Sequence, residues 1–94
     1  MRVSWLHTAL RNLNDEAEYI ALDDPRAAQL VVGRVLAAVS MLAEQPGLGR
    51  PGRVPGTREL VVTKTRYVVP YRVRGDVVEV LRVFHTSRRL PARW

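Results

Sequence analysis

An α+β fold is predicted for this 94-residue chain: a short N-terminal strand and a two-helix antiparallel hairpin packed on a curved, mostly antiparallel sheet, in the order β-α-α-β-β-β. Three observations predict it. Apolar residues recur at helical spacing through the first half, a breaker-rich segment follows, and side chains alternate in polarity through the second half. Residues 1–94 are expected to form one domain, because a chain of this length that is 47% hydrophobic can bury one modest core and not two.

Arg2 to Trp5 is short and rich in β-formers, which makes it the first strand. It leads directly into a helix in which Leu6, Leu10, Leu13, Ala17 and Ile20 share one face, while Arg11, Asn12, Asp15 and Glu16 fall largely elsewhere. That helix is expected to end near Leu22. Asp23-Asp24-Pro25 then supplies a side-chain acceptor for an N-cap and a Pro for the first helical position, where its missing N–H does no harm. The second helix places Ala28, Val32, Val35, Val39 and Leu42 on one stripe, with Leu36 and Ala43 beside it, and Pro46-Gly47 stops it.

Pro46 to Gly56, PGLGRPGRVPG, holds too many breakers for a helix or a central strand and is expected to be a loop. Beyond it the period becomes two, first in 57–63 and then in 66–74, where Tyr67, Val69, Tyr71 and Val73 share a face. Gly75-Asp76 turns the chain, and 77–85 forms the last strand, the hairpin partner of the preceding one. Pro70 conflicts with a fully paired central strand, since Pro cannot donate to a ladder; a bulge or an unpaired position there resolves the conflict.

Composition excludes several function classes. With no Cys there is no disulfide framework, and His7 and His85 alone make a His/Cys metal site unattractive. No uninterrupted apolar run approaches the roughly 20 residues of a membrane span, and Met1-Arg2-Val3-Ser4-Trp5 lacks a secretory apolar region, so a cytoplasmic protein without a membrane partner is expected. The net charge of +6 is uneven: residues 1–49 carry four Arg against six acids, residues 50–94 eleven Lys or Arg against Glu59, Asp76 and Glu79. A basic second half suggests an anionic partner, either nucleic acid or an acidic polypeptide. The glycines at 47, 49, 52 and 56 do not form a phosphate-binding P-loop, which needs GxxxxGK[ST] between a strand and a helix.

Nearly the whole chain carries a further pattern: Trp5, Ala9 and Leu13; Tyr19-Ile20-Ala21; Asp24-Pro25-Arg26-Ala27-Ala28; Leu42-Ala43-Glu44-Gln45-Pro46. It continues through Gly49-Arg50-Pro51-Gly52-Arg53-Val54, Gly56-Thr57-Arg58-Glu59-Leu60-Val61, Tyr71-Arg72-Val73, the run from Val78 to His85, then Arg88 and Pro91. In order and spacing these blocks resemble the RelE/ParE superfamily of toxins from type II toxin–antitoxin systems. The resemblance implies a toxin held inactive by a cognate antitoxin that wraps its helices and sheet, with no cofactor. ParE-like members of that family poison DNA gyrase and are not known to need catalytic residues, whereas RelE-like members cut mRNA on the ribosome without a metal. A degenerate member that only binds antitoxin is a third class.

Metal-free RNA cleavage needs a base, an acid and cations around the phosphorane. His85, with Arg66 and Arg82, supplies those types if the chain is a nuclease; a strand-ending His with local hydrogen bonds is the plainer reading. RelE-like members place a key Arg directly after the strand-three aromatic, and here Tyr67 is followed by Val68. That departure favours the ParE-like, gyrase-binding reading. A basic surface for target or antitoxin is expected from Arg50, Arg53, Arg58, Lys64, Arg72, Arg74, Arg88 and Arg89, in which Arg66, Arg72 and Arg74 share a strand face that Arg82 is placed to join. Ordinary solvation of those charges is the alternative. Tyr67, Tyr71 and Trp5 are expected in the core, His7 at the surface or as a capping partner, and Trp94 either packed back or exposed.

Overall fold

The computed structural model describes residues 1–87, so the expectations for Arg88, Arg89, Pro91 and Trp94 lie outside the described residues. Strand β1 (Arg2–Trp5) passes through Leu6 into helix α1 (His7–Ala21). His7 opens that helix at the surface, and no side chain caps it. The buried face of α1 is rotated from the expected one: Ala9 and Leu13 are buried, whereas Leu10 is 47% exposed. Period alone allows either stripe, and the structure places the small Ala9, fully buried, in the core cluster with Leu13.

The turn after α1 is closed by the amides of Asp23 and Asp24, both donating to the Ile20 carbonyl. Asp24 then caps helix α2 (Pro25–Ser40), its carboxylate accepting from the amides of Arg26 (3.1 Å) and Ala27 (3.2 Å), with Pro25 at the helix start. The α-helix ends at Ser40 and tightens into a 3-10 turn, Met41–Ala43, that carries Leu42 into the core. Ala28, Val35 and Val39 are buried as expected. The run-of-apolar-residues criterion missed one property of this segment: Pro25–Ala43 is long and apolar enough by length and composition to cross a membrane, yet only 22% of it is buried. Its polar interruptions hid the run. Structurally it is a core helix that leaves much apolar surface, Leu30, Leu36 and Met41 included, uncovered.

The sheet follows as β2 (Arg50–Pro51), β3 (Arg58–Val61), β4 (Tyr67–Arg74), β5 (Val77–Val80) and β6 (Phe84–His85). Its spatial order is β1-β5-β4-β3-β2, with β1 parallel to β5 and the other pairs antiparallel; β6 also pairs with β4. The α+β class and the expected order are therefore found, with two corrections. The loop contains a two-residue edge strand, β2, and the last strand is broken in two. One core lies between the helices and the sheet, gathering Val35, Val39 and Leu42 with Leu60, Val69, Tyr71, Val78 and Val80.

The break in the last strand answers the difficulty posed by Pro70. On the β4 side Val69 and Pro70 separate the paired positions Val68 and Tyr71; opposite them three residues, Leu81, Arg82 and Val83, separate Val80 from Phe84. One residue too many on the second strand makes a β-bulge. The Leu81 amide donates to the Pro70 carbonyl at 2.9 Å. In an extended strand a residue's nitrogen and carbonyl point to the same side, so the donor that Pro70 lacks would have faced the bulge. Val73, expected on the core face, is 41% exposed and takes no part in the core cluster.

Candidate functional site

The breaker-rich segment is fastened by two core-side residues. Tyr71, fully buried, donates its hydroxyl to the Pro46 carbonyl (2.7 Å) and accepts from the Gly49 amide (2.8 Å). A Cβ at Gly49 would lie 2.7 Å from the Tyr71 ring, so glycine is required there by close approach. Glu59, only 2% exposed, accepts from the Arg53 amide at 3.0 Å and faces the guanidinium groups of Arg50 at 3.2 Å and Arg53 at 3.9 Å. Arg58 turns back to the Gly49 carbonyl at 2.8 Å. Three of the expected surface cations thus hold their own loop.

The expected arginine row divides. Arg72 and Arg74 both face Glu79, at 2.7 and 3.9 Å, whose side chain is 21% exposed. Arg66 stands just before β4, about 20 Å from Arg72 at the usual strand rise, and Arg82 lies in the bulge rather than opposite them. One Arg82 nitrogen donates to the Leu81 carbonyl at 2.6 Å.

The other end of β4 gathers the remaining candidates. The Thr86 amide donates to the Arg66 carbonyl at 2.7 Å, and His85 sets its ring edge-on to Tyr67, with centroids 5.2 Å apart. Nδ1 of His85 accepts from the Ser87 amide at 3.2 Å and lies 2.7 Å from the Ser87 hydroxyl. A backbone N–H can only donate, so the neutral ring carries its proton on Nε2. Lys64 sits nearby in the β3–β4 turn with φ of 60°, its carbonyl accepting from Arg34 at 3.1 Å. Arg66, Arg82 and Lys64 make no ion pair among the described residues.

Two residues expected largely off the apolar stripe of α1, Asn12 and Glu16, also belong to this end. Asn12 accepts from the Val83 amide at 3.2 Å, and Glu16 accepts from the Tyr67 hydroxyl at 3.0 Å. With Ala9 they form a row at three- and four-residue spacing toward the sheet. The rotation that buries Ala9 is the signal that finds them. Among the described residues no cluster of three His, Cys, Asp or Glu could hold a metal ion.

On the opposite layer an open apolar groove runs between the helices, lined by Ala17, Ala21, Val32, Gly33 and Leu36, with Glu18 and Gln29 at its rim. Leu22, 83% exposed, stands where the two helices join.

Comparison with known proteins gives one consistent result. A family model described as the ParE toxin of type II toxin-antitoxin systems, parDE, matches residues 3–90. A protein of Sinorhizobium fredii named "Putative toxin Y4kP" is 48% identical over 90 residues, which are 96% of this chain and 93% of that one. Toxin RelE1 of Caulobacter vibrioides is 35% identical over 79 residues, 82% of this chain and 84% of the other. Among solved structures, a chain of the chromosomal ParDE system from P. aeruginosa superposes with a TM-score of 0.81 and 30% identity, covering 90% of this chain and 95% of that one.

Proposed function

This chain belongs to the ParE toxin family of type II toxin–antitoxin systems, and from that premise we propose that it arrests growth by binding DNA gyrase and stabilising its cleaved-DNA state, a task of recognition rather than bond making. The carrying observation is the state of His85. Its Nδ1 is engaged by the Ser87 amide, so that nitrogen could serve as a base toward a ribose hydroxyl only after breaking that local contact. Arg66, Arg82 and Lys64, which belong to this end of β4 and make no ion pair among the described residues, are of the kind that grips DNA phosphate or acidic side chains. Neutralisation falls to a cognate antitoxin whose amphipathic segment covers the apolar helix hairpin, the surface left open along α2. The chain acts as one domain, in the cytoplasm, where both proteins are made.

Expression of the chain without antitoxin tests the proposal. Filamentation, a DNA-damage response and trapped cleavage complexes with purified gyrase are expected. Rapid arrest of translation with codon-phased cuts in transcripts would instead establish the ribosome-dependent mRNA interferase, and no arrest at all would point to a degenerate, antitoxin-binding member.

A further inference from the structure

We propose that Asn12 is a positioning residue for Arg82: by accepting from the Val83 amide it pins the extra residue of the β-bulge, so that Arg82 is presented to the target from the joint between β5 and β6. The inference rests on the reading of this surface as the target-binding one.

Strict alternation shows why the bulge matters. Val78 and Val80 point into the core beneath the helices. Continued without a break, the pattern would send Arg82 into the same core and turn Val83 outward. A guanidinium there would lose its hydration without a partner. The extra residue resets the phase. Val83 joins the core, at 3% exposure, while Arg82 stands half-buried between it and Leu81.

A reset of this kind leaves backbone groups outside the ladder, and they must be satisfied elsewhere. The Leu81 amide takes the Pro70 carbonyl, and Pro70 has no N–H to offer in return. The Val83 amide, buried with its side chain, finds its acceptor on another element altogether, Oδ1 of Asn12 on α1. Pro70 thus keeps a regular ladder from closing on that side, and Asn12 holds the opened strand against the helix. Since β6 begins one residue later, the same contact fixes the register that brings Phe84 opposite Val68 and His85 opposite Tyr67.

The test compares Asn12→Leu, close in shape but without an acceptor, with Asn12→Asp, which keeps one. Three quantities are measured on the purified full chain: the Val83 amide exchange rate by NMR, the concentration needed to trap gyrase cleavage complexes, and affinity for the cognate antitoxin. N12L is expected to speed Val83 exchange and to raise the trapping concentration by about tenfold each, the scale of one lost buried hydrogen bond. Antitoxin affinity should stay within about twofold, because the helix groove is untouched. N12D should restore both lost properties. If N12L does not fold, Asn12→Ala is expected to show the same split at smaller size. Equal trapping by N12L and wild type, or equal loss in N12L and N12D, would overturn the proposal. Should the wild-type chain trap no gyrase, the target reading falls by itself; the Val83 exchange rates and growth arrest by the two variants then decide the role of Asn12.

Discussion

The two ends of strand β4 carry the same kinds of residue and use them differently. At the Tyr71–Arg74 end the ladder with β5 is regular over four pairs, and the cations that project from it, Arg72 and Arg74, face Glu79. At the Tyr67 end the ladder is interrupted by the bulge, two polar side chains of α1 reach across to hold it, and the nearby Arg66 and Arg82 meet no carboxylate among the described residues. The difference shows that positive charge in the sequence is not a binding surface by itself. A cation is available to a partner only where the fold has not already supplied its counter-ion, and here that is the irregular end.

The largest expected effect follows from this contrast. Arg82→Ala should weaken trapping of gyrase cleavage complexes by about thirtyfold, the scale of an interface hot spot of about 2 kcal/mol. Arg74→Ala, at the regular end, should change it less than about threefold, since an exposed, already paired cation adds little. Dose–response curves with purified gyrase check both. Comparable losses in the two variants would erase the distinction between the ends.

That distinction was partly legible before the structure. The fold class, the order of elements, the Asp24 cap and the β4–β5 turn at Gly75 follow from local spacing and turn chemistry, which are short-range properties of the chain. Pro70 even announced that the ladder would fail near it. What could not be read was where the failure would be absorbed. The compensating partner of Val83 is Asn12, seventy-one positions away, and the counter-ions of Arg50 and Arg53 converge on a single Glu59 through a loop of unpredictable path. Sequence counts charges; only tertiary structure pairs them. The same limit misplaced Asn12 and Glu16, because Leu10 outweighs Ala9 in any hydrophobic pattern although Ala9 is the one that is buried.

A second tier of effects concerns stability rather than binding. Glu59→Ala removes a buried carboxylate that serves two guanidinium groups and the Arg53 amide, and should destabilise the chain by about 2–3 kcal/mol, the low end for a buried ion-pair partner because both arginines can regain water. Tyr71→Phe should follow at about 1–2 kcal/mol, since the Pro46 carbonyl and the buried Gly49 amide both lose their partner. Urea unfolding followed by circular dichroism measures each. A loss below about 0.5 kcal/mol for Tyr71→Phe would show that water replaces the hydroxyl and that the loop is held by its arginines alone.

Glu79→Ala is the smallest change and bears most directly on how the regular end differs from the bulged one. Glu79 is partly exposed and its partners are more so, so its removal should alter stability by about 0.5 kcal/mol or less. It nevertheless frees Arg72 and Arg74 at once and makes the protein one charge more positive. If those arginines lie on the route of an anionic target, association should quicken by about two- to threefold at low salt, and the gain should vanish near about 0.5 M salt, where the screening length falls to a few ångströms. A gain that survives high salt would mean that the released arginines make direct contacts, and the regular end would then be a masked part of the same surface. A loss on the scale of Arg82→Ala would mean that the Arg72–Glu79 pair itself is what the target recognises.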